Sequence, residues 1–286
     1  MIPTIKQNPI IKLIYNSYVV LFFIYLALPL SVVAVFAFND SQFPSLPWEG
    51  FTLTWFFGTE QPWLGVFNER RIMRSIGTSA FIALCVSVLS ILVGTINAFL
   101  FERANFKFKG FLYVLMLLPL VIPGIILGIS ILVFSNFVAN GVEDLTGWEI
   151  EALRPGLTLV ILGQFSFITT IATLVIAARL KKFDSSLEEA ALNLGASQWQ
   201  AIYHVTLPFL RPAMIGAGIV ALLMSFENFN TTLMLVGSDA PLTITMFDRL
   251  KEGSTPVLNA VSLLLMIGSS ALALVMIFFQ KADKKS

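Results

Sequence analysis

Six long apolar runs, with a single charged residue among them, constrain this chain more than any other feature. They extend over Ile14–Phe38, Ile76–Phe101, Phe111–Ala139, Leu157–Ala178, Ala213–Val236 and Val257–Phe279. A helix needs about 20 such residues to cross a bilayer. The runs are continuous rather than alternating, which favours helices over the tilted strands of a barrel. The expected fold class is all-α: a polytopic six-helix membrane bundle in one transmembrane domain, residues 1–286, with a cytoplasmic loop at 179–212. Composition agrees, with 57% hydrophobic and 12% charged residues against roughly 25% charged in an average soluble domain.

Several chemistries fall away on residue counts. Eighteen basic residues against 17 acidic ones leave no basic footprint for nucleic acid. A single cysteine, Cys85, excludes an internal disulfide and any CxxC motif, and a single histidine, His204, excludes paired-histidine zinc sites. Cys85 reads as a small buried hydrophobe. No metal site is expected.

Orientation follows from the basic residues. Placing the N-terminus inside puts about 12 of the 18 Lys and Arg residues on one side, among them Lys6, Lys12, Arg103, Lys107, Lys109, Arg179, Lys181, Lys182 and Arg211. Most acids then fall in the opposite loops. Both termini are therefore expected in the cytoplasm. The first run is too long for a signal-peptide core and is read as a retained helix.

Two features interrupt the regular pattern. The third run carries Pro119, Pro123, Gly124 and Gly128, so a kinked or broken helix is expected, either beside a cavity or as an ordinary kink. The loop from Asn39 to Ser75 is rich in Trp48, Phe51, Trp55, Phe56, Phe57, Trp63 and Phe67, read as anchors at headgroup level with a short interfacial helix.

Residues 179–212 are too long for a structureless connection. Ser185 or Ser186 with Glu188 or Glu189 forms a capping-box pattern, and Leu187, Ala190, Ala191 and Leu194 then share a helical face. Gly195 suits a left-handed helix end. Ser197 with Gln200 offers a second box, and Leu207-Pro208 is expected to stop the second helix because the residue before proline is pushed out of the α region. The result is a helix–turn–helix knob suited to a groove on a partner; His204 lies beside it as a surface or partner contact.

These residues carry a resemblance. Glu189-Ala190-Ala191, Gly195 and Val205-Thr206-Leu207-Pro208 match in spacing the EAA loop of permease subunits of type I ABC importers. Phe38-Asn39, Trp48 to Phe56, Ser225-Phe226-Glu227-Asn228, Pro241-Leu242-Thr243-Ile244 and Pro256 to Ala260 resemble the second permease of spermidine/putrescine-type systems. The resemblance implies a non-catalytic pore subunit in a bacterial inner membrane, surrounded by lipid. Its implied partners are a second permease, two cytoplasmic ATPases that hold ATP and Mg, and a solute-binding protein. It further implies that Glu188, Glu189, Ala190, Ala191, Gly195, Leu207 and Pro208 serve ATPase coupling. This chain has no phosphate-binding G-x-x-x-x-G-K-[ST] motif and no cofactor of its own is expected.

Glu227 is the one charged residue inside the six runs. An ionisable group at membrane depth is a functional-site hypothesis by default, here a carboxylate about 21 Å above Ala213 at 1.5 Å per residue. It contacts an amine-bearing solute, or pairs within the complex. Phe226, Asn228 and Asn230 are the accompanying path candidates. The expected solute is a small organic cation of polyamine type, with opines or amino-acid derivatives as the alternative. An ion-driven secondary carrier is a distant alternative, since no inverted repeat or midplane ion ligands are visible.

Overall fold

The computed structural model describes residues 9–43, 46–60, 64–253 and 256–283, with side chains to residue 275. Its helices are α1 (Pro9–Phe36), α2 (Thr54–Phe57), α3 (Arg70–Arg103), α4 (Lys109–Val121), α5 (Gly124–Thr146), α6 (Leu157–Leu180), α7 (Ser186–Asn193), α8 (Gln198–Ala201), α9 (Leu207–Phe226), α10 (Asn230–Leu235), α11 (Leu242–Glu252) and α12 (Val257–Asp283). No strand occurs among the described residues. Six helical segments there are long and apolar enough to cross a membrane, and the fold is an all-α polytopic bundle. The chain packs as two compact units, residues 1–70 with 249–267, and residues 71–248 with 268–286.

In the first unit, α1 buries no residue against the rest of the chain, so its apolar surface faces lipid or another subunit. The segment after it is folded. The Trp55 indole Nε1 donates to the Asn39 carbonyl at 2.7 Å, the Asn39 side chain accepts from Glu49 N at 2.9 Å, and Phe38 stacks on Phe51 at 5.2 Å. Trp55 and Phe56 are only 3% and 6% exposed. This corrects the expectation of membrane anchors: these two rings form the core of the loop, because its backbone closes over them. Trp48, Phe51, Phe57 and Phe67 do remain exposed, while Trp63 lies outside the described residues.

In the second unit, α6 is the central helix. Leu159, Val160 and Ile168 pack with Ile82 and Val86 of α3, Ala221 of α9 and Leu235 of α10. Nearer its other end, Ala172, Ile176 and Leu180 pack with Ala98, Leu210 and Ala217. Small residues set the close approaches. A Cβ on Gly94 would lie 3.0 Å from that of Ala172, and the Ser87 hydroxyl donates to the Gly218 carbonyl at 2.7 Å. Close backbone approach and polar glue of this kind drive helix association where lipid removes the hydrophobic contrast.

Two apolar runs are broken. Ile122 takes an extended conformation (φ −75°, ψ 129°) before Pro123, as the proline ring requires, and α5 starts afresh at Gly124. Pro119 sits inside α4 without ending it. The fifth run breaks at 227–229, between α9 and α10, at a place with no proline or glycine. Glu227 is thus the residue that ends α9 rather than one inside a continuous helix.

Candidate functional site

The knob at 184–206 is built from local chemistry. The expected box at the start of α7 does not form. Ser185 already has helical dihedrals (φ −61°, ψ −22°) and its side chain caps nothing. Asp184 takes the role, accepting from Ser186 N at 3.0 Å. The hydrogen bonds from Ser186 hold the Asp184 carboxyl below the usual carboxylate range, against a small opposing effect of burial.

At the other end of α7, Gly195 has φ +90°. Ala196 N donates to the Ala191 carbonyl and Gly195 N to the Leu192 carbonyl, the paired bonds of a Schellman turn. The second box is complete: Gln200 Oε1 accepts from Ser197 N at 2.8 Å, and the Ser197 hydroxyl accepts from Gln200 N at 3.3 Å.

Leu207-Pro208 does not stop the second helix. The helix runs without interruption from Gln198 to Phe226, and Thr206 and Leu207 both keep helical dihedrals. Residues Ile202–Thr206 form a π-turn, in which Leu207 N donates five residues back to the Ile202 carbonyl. The wider turn gives the Pro208 ring the room that an α-turn denies it. The knob is therefore continuous with the helix it leads into.

The two glutamates of the knob point different ways. Glu189 is exposed, as are Ala190 and, at 90% and 81%, Leu194 and Trp199; Ala191 is half-buried. Glu188 turns inward. Its carboxylate accepts from Arg103 Nη1 at 2.7 and 2.6 Å and from the buried Thr206 hydroxyl. Burial pushes the Glu188 carboxyl up, but the hydrogen bonds from Arg103 and Thr206 and the Arg103 charge outweigh it and hold the carboxyl below its ordinary value. Arg103 also lies over the Phe99 and Phe183 rings at 5.2 and 5.3 Å, and Lys181 pairs with Glu102 at 3.4 Å. Arg103 and Thr206 were absent from the sequence candidates, and the 85-residue separation of Arg103 from Glu188 leaves no local signal.

The second candidate region is the break at 227–229. Glu227 and Asn230 are exposed within the chain, and Phe226 and Asn228 are half-buried. Asn228 organises the break: its Oδ1 accepts from Thr232 N at 3.3 Å and from the Thr232 hydroxyl at 3.0 Å, and its carbonyl accepts from the Thr243 hydroxyl at 3.1 Å. The two breaks in the unit meet. The Thr231 hydroxyl donates to the Gly124 carbonyl at 3.3 Å, and a Cβ on Gly124 would lie 3.0 Å from that of Asn230. Glu227 is not brought to the knob. Among the described residues no three His, Cys, Asp or Glu side chains gather into a possible metal site.

Comparison with known proteins identifies the family and fold. The chain is 27% identical over 246 residues to the putrescine transport system permease protein PotI of Escherichia coli K12, covering 85% of this chain and 82% of that protein. It is 24% identical over 267 residues to the spermidine/putrescine transport system permease protein PotC of the same strain, covering 93% and 92%. The fold matches a subunit of a bacterial ABC transporter involved in import of the acidic polysaccharide alginate, with TM-score 0.68 at 15% identity over 96% of this chain and 95% of that one. Residues 94–283 match the family described as binding-protein-dependent transport system inner membrane component. The chain belongs to that family: it is a multi-pass, non-catalytic permease subunit of a binding-protein-dependent ABC importer.

Proposed function

We propose that this permease carries a small organic cation of polyamine type. The observation that carries the reading is the exposed Glu227 carboxylate at the α9–α10 break, since a charge at membrane depth is retained where it faces a cavity or a partner. The names of PotI and PotC, relatives that carry putrescine and spermidine, support an amine as that partner. Phe226, Asn228 and Asn230 accompany Glu227 along the path.

In the same reading a second permease completes the path and two ATPases supply the energy. The bias of Lys and Arg supports cytoplasmic termini in a bacterial inner membrane. Glu189, Ala190, Leu194 and Trp199 form the face that seats in the ATPase. Glu188 acts one step behind that face, linking the knob to Arg103 at the end of α3 and to Thr206 at the root of α9. Closure of the ATPases on ATP then moves two helices of the bundle at once. Nucleotide and the loaded binding protein must stabilise different states for transport to have direction.

The test is uptake of labelled putrescine, spermidine and a neutral amino acid by cells carrying the complete transporter, wild type against Glu227→Gln. Polyamine uptake that falls about tenfold or more in the variant, with complex yield unchanged, supports the reading. An assembled complex without polyamine uptake removes the substrate class and favours opines or amino-acid derivatives.

A further inference from the structure

The break that presents Glu227 has no proline or glycine to cause it; Asn228 caps it locally, and a side chain from another helix spans it. Gln164 of α6 is 2% exposed. Its Nε2 donates to the Thr232 hydroxyl at 2.8 Å, and its Oε1 accepts from the Ser225 hydroxyl. Ser225 lies in the last turn of α9, two residues before Glu227, and Thr232 lies in α10. The Thr232 hydroxyl, having accepted from Gln164, donates to Asn228 Oδ1 at 3.0 Å. One carboxamide therefore grips both sides of the break and, through Thr232, the residue next to Glu227.

The direction of each bond is fixed. Ser225 donates to the amide oxygen, the amide nitrogen donates to Thr232, and Thr232 donates to Asn228. Only a side chain with one donor end and one acceptor end, of this length, completes the chain. A carboxylate lacks the donor, and a methionine lacks the donor and offers only a weak acceptor. Ser225, Gln164 and Thr232 are all buried, so water offers no replacement partner, and a lost bond leaves a buried polar group unsatisfied. Gly163 lets the helices close at this level, since a Cβ there would meet Leu235 Cδ1.

We propose that Gln164 is a positioning residue of the translocation path: its clasp on Ser225 and Thr232 sets the α9–α10 break and with it the place of the Glu227 carboxylate. This rests on the reading of Glu227 as a path residue, and the experiment separates the two. Putrescine uptake kinetics are measured in proteoliposomes holding the complete transporter for wild type, Gln164→Met, Thr232→Val, Glu227→Gln and the Gln164→Met/Glu227→Gln double variant. Each clasp variant is expected to raise KM about tenfold, the size of one buried hydrogen-bond partner lost, with maximal rate within about twofold of wild type. In the Glu227→Gln background, Gln164→Met is expected to add nothing further to KM.

A clasp variant that leaves KM unchanged, or an effect of Gln164→Met that persists undiminished without the carboxylate, overturns the proposal and spares the path reading. A Glu227→Gln variant with wild-type KM overturns the path reading itself. Thr232→Val removes one hydroxyl at nearly constant shape and serves if Gln164→Met fails to assemble. A second measurement needs no solute: with Glu227→Cys in a Cys85→Ala background, labelling by a membrane-impermeant cationic thiol reagent is expected to change at least about fivefold when Gln164→Met is added. Unchanged labelling overturns the clasp.

Discussion

Arg103 Nη1 reaches both carboxylate oxygens of Glu188, at 2.7 and 2.6 Å, and so ties the last turn of α3 to the first turn of α7. The Glu188 side chain is only 17% exposed and the Arg103 side chain 31%, so the pair is better shielded than a surface ion pair worth about 0–1 kcal/mol. In the proposed coupling, motion of a knob held this way would be passed to α3. Glu188→Lys should therefore cut ATP-driven uptake about tenfold or more at normal complex yield. The swapped pair, Arg103→Glu with Glu188→Arg, should recover part of the loss. Wild-type uptake by Glu188→Lys would remove the tie from the coupling path.

The same pair gives a pH signature. Burial pushes the Glu188 carboxyl up, but the hydrogen bonds from Arg103 and Thr206 together with the Arg103 charge hold it below its unfolded value. A carboxylate depressed on folding stabilises the protein above its unfolded pKa, and the contribution is lost as pH falls through the folded value. Glu188→Gln should thus lower the melting temperature of the purified permease by about 2 °C at neutral pH, for a loss of about 1 kcal/mol. The gap should hold above the ordinary glutamate pKa of about 4.3 and close as pH falls through the lower folded value. Asp184 titrates in both proteins and cancels in the difference. A gap independent of pH down to 3 would show that the carboxylate charge is not what stabilises the site.

Gly195 carries the turn with φ +90° and open space around its Cα. The cost of a side chain there is conformational alone, about 1 kcal/mol for alanine and less for asparagine. Gly195→Ala should leave the bundle folded while reducing uptake per ATP hydrolysed, with Gly195→Asn milder. Equal coupling ratios in both variants and wild type would make the turn dispensable.

What was legible in the sequence depended on how local its cause was. The six apolar runs, the Gly195 turn and the Ser197–Gln200 box are written within a few residues each, and the structure contains them. The break at Pro123 is likewise announced by the proline. The break at Glu227 is not announced by a proline or glycine; polar residues are frequent from Ser225 to Thr232, but the interruption is held by Gln164 and Thr243 from other segments together with Asn228 and Thr232. Glu188 and Glu189 look equivalent in sequence; Arg103 separates them in space. Leu207-Pro208 was misread because a π-turn, which the proline rule does not foresee, absorbs the ring.

Leu194 and Trp199 present the most exposed large apolar side chains of the knob. In the proposed function they belong to the face that seats in the ATPase, and exposed apolar groups on a polar loop suit such a face. Leu194→Asp and Trp199→Ala should weaken co-purification of the ATPase about tenfold, in the range of interface hot spots, with the melting temperature of the permease alone unchanged. Full ATPase retention in both variants would move the docking face elsewhere.

Glu69 and Arg249 form an ion pair in which the Glu69 residue is 8% exposed and Arg249 Nε is buried without a hydrogen-bond partner. Burial holds the Arg249 guanidinium below its usual pKa, opposed by the charge of Glu252, though the group stays protonated throughout the accessible range. The pair is thus costly to desolvate and incompletely satisfied. Removing one partner leaves the other charge partly desolvated without its ion-pair partner, whereas removing both removes the desolvation cost as well. Arg249→Met and Glu69→Leu should each destabilise the permease by about 3 kcal/mol, and the double variant by less than either single one. Chemical denaturation of the purified permease gives the cycle directly. A double variant as unstable as the sum of the singles would mean that each residue is held by its own neighbours, and that the ion pair contributes nothing as a pair.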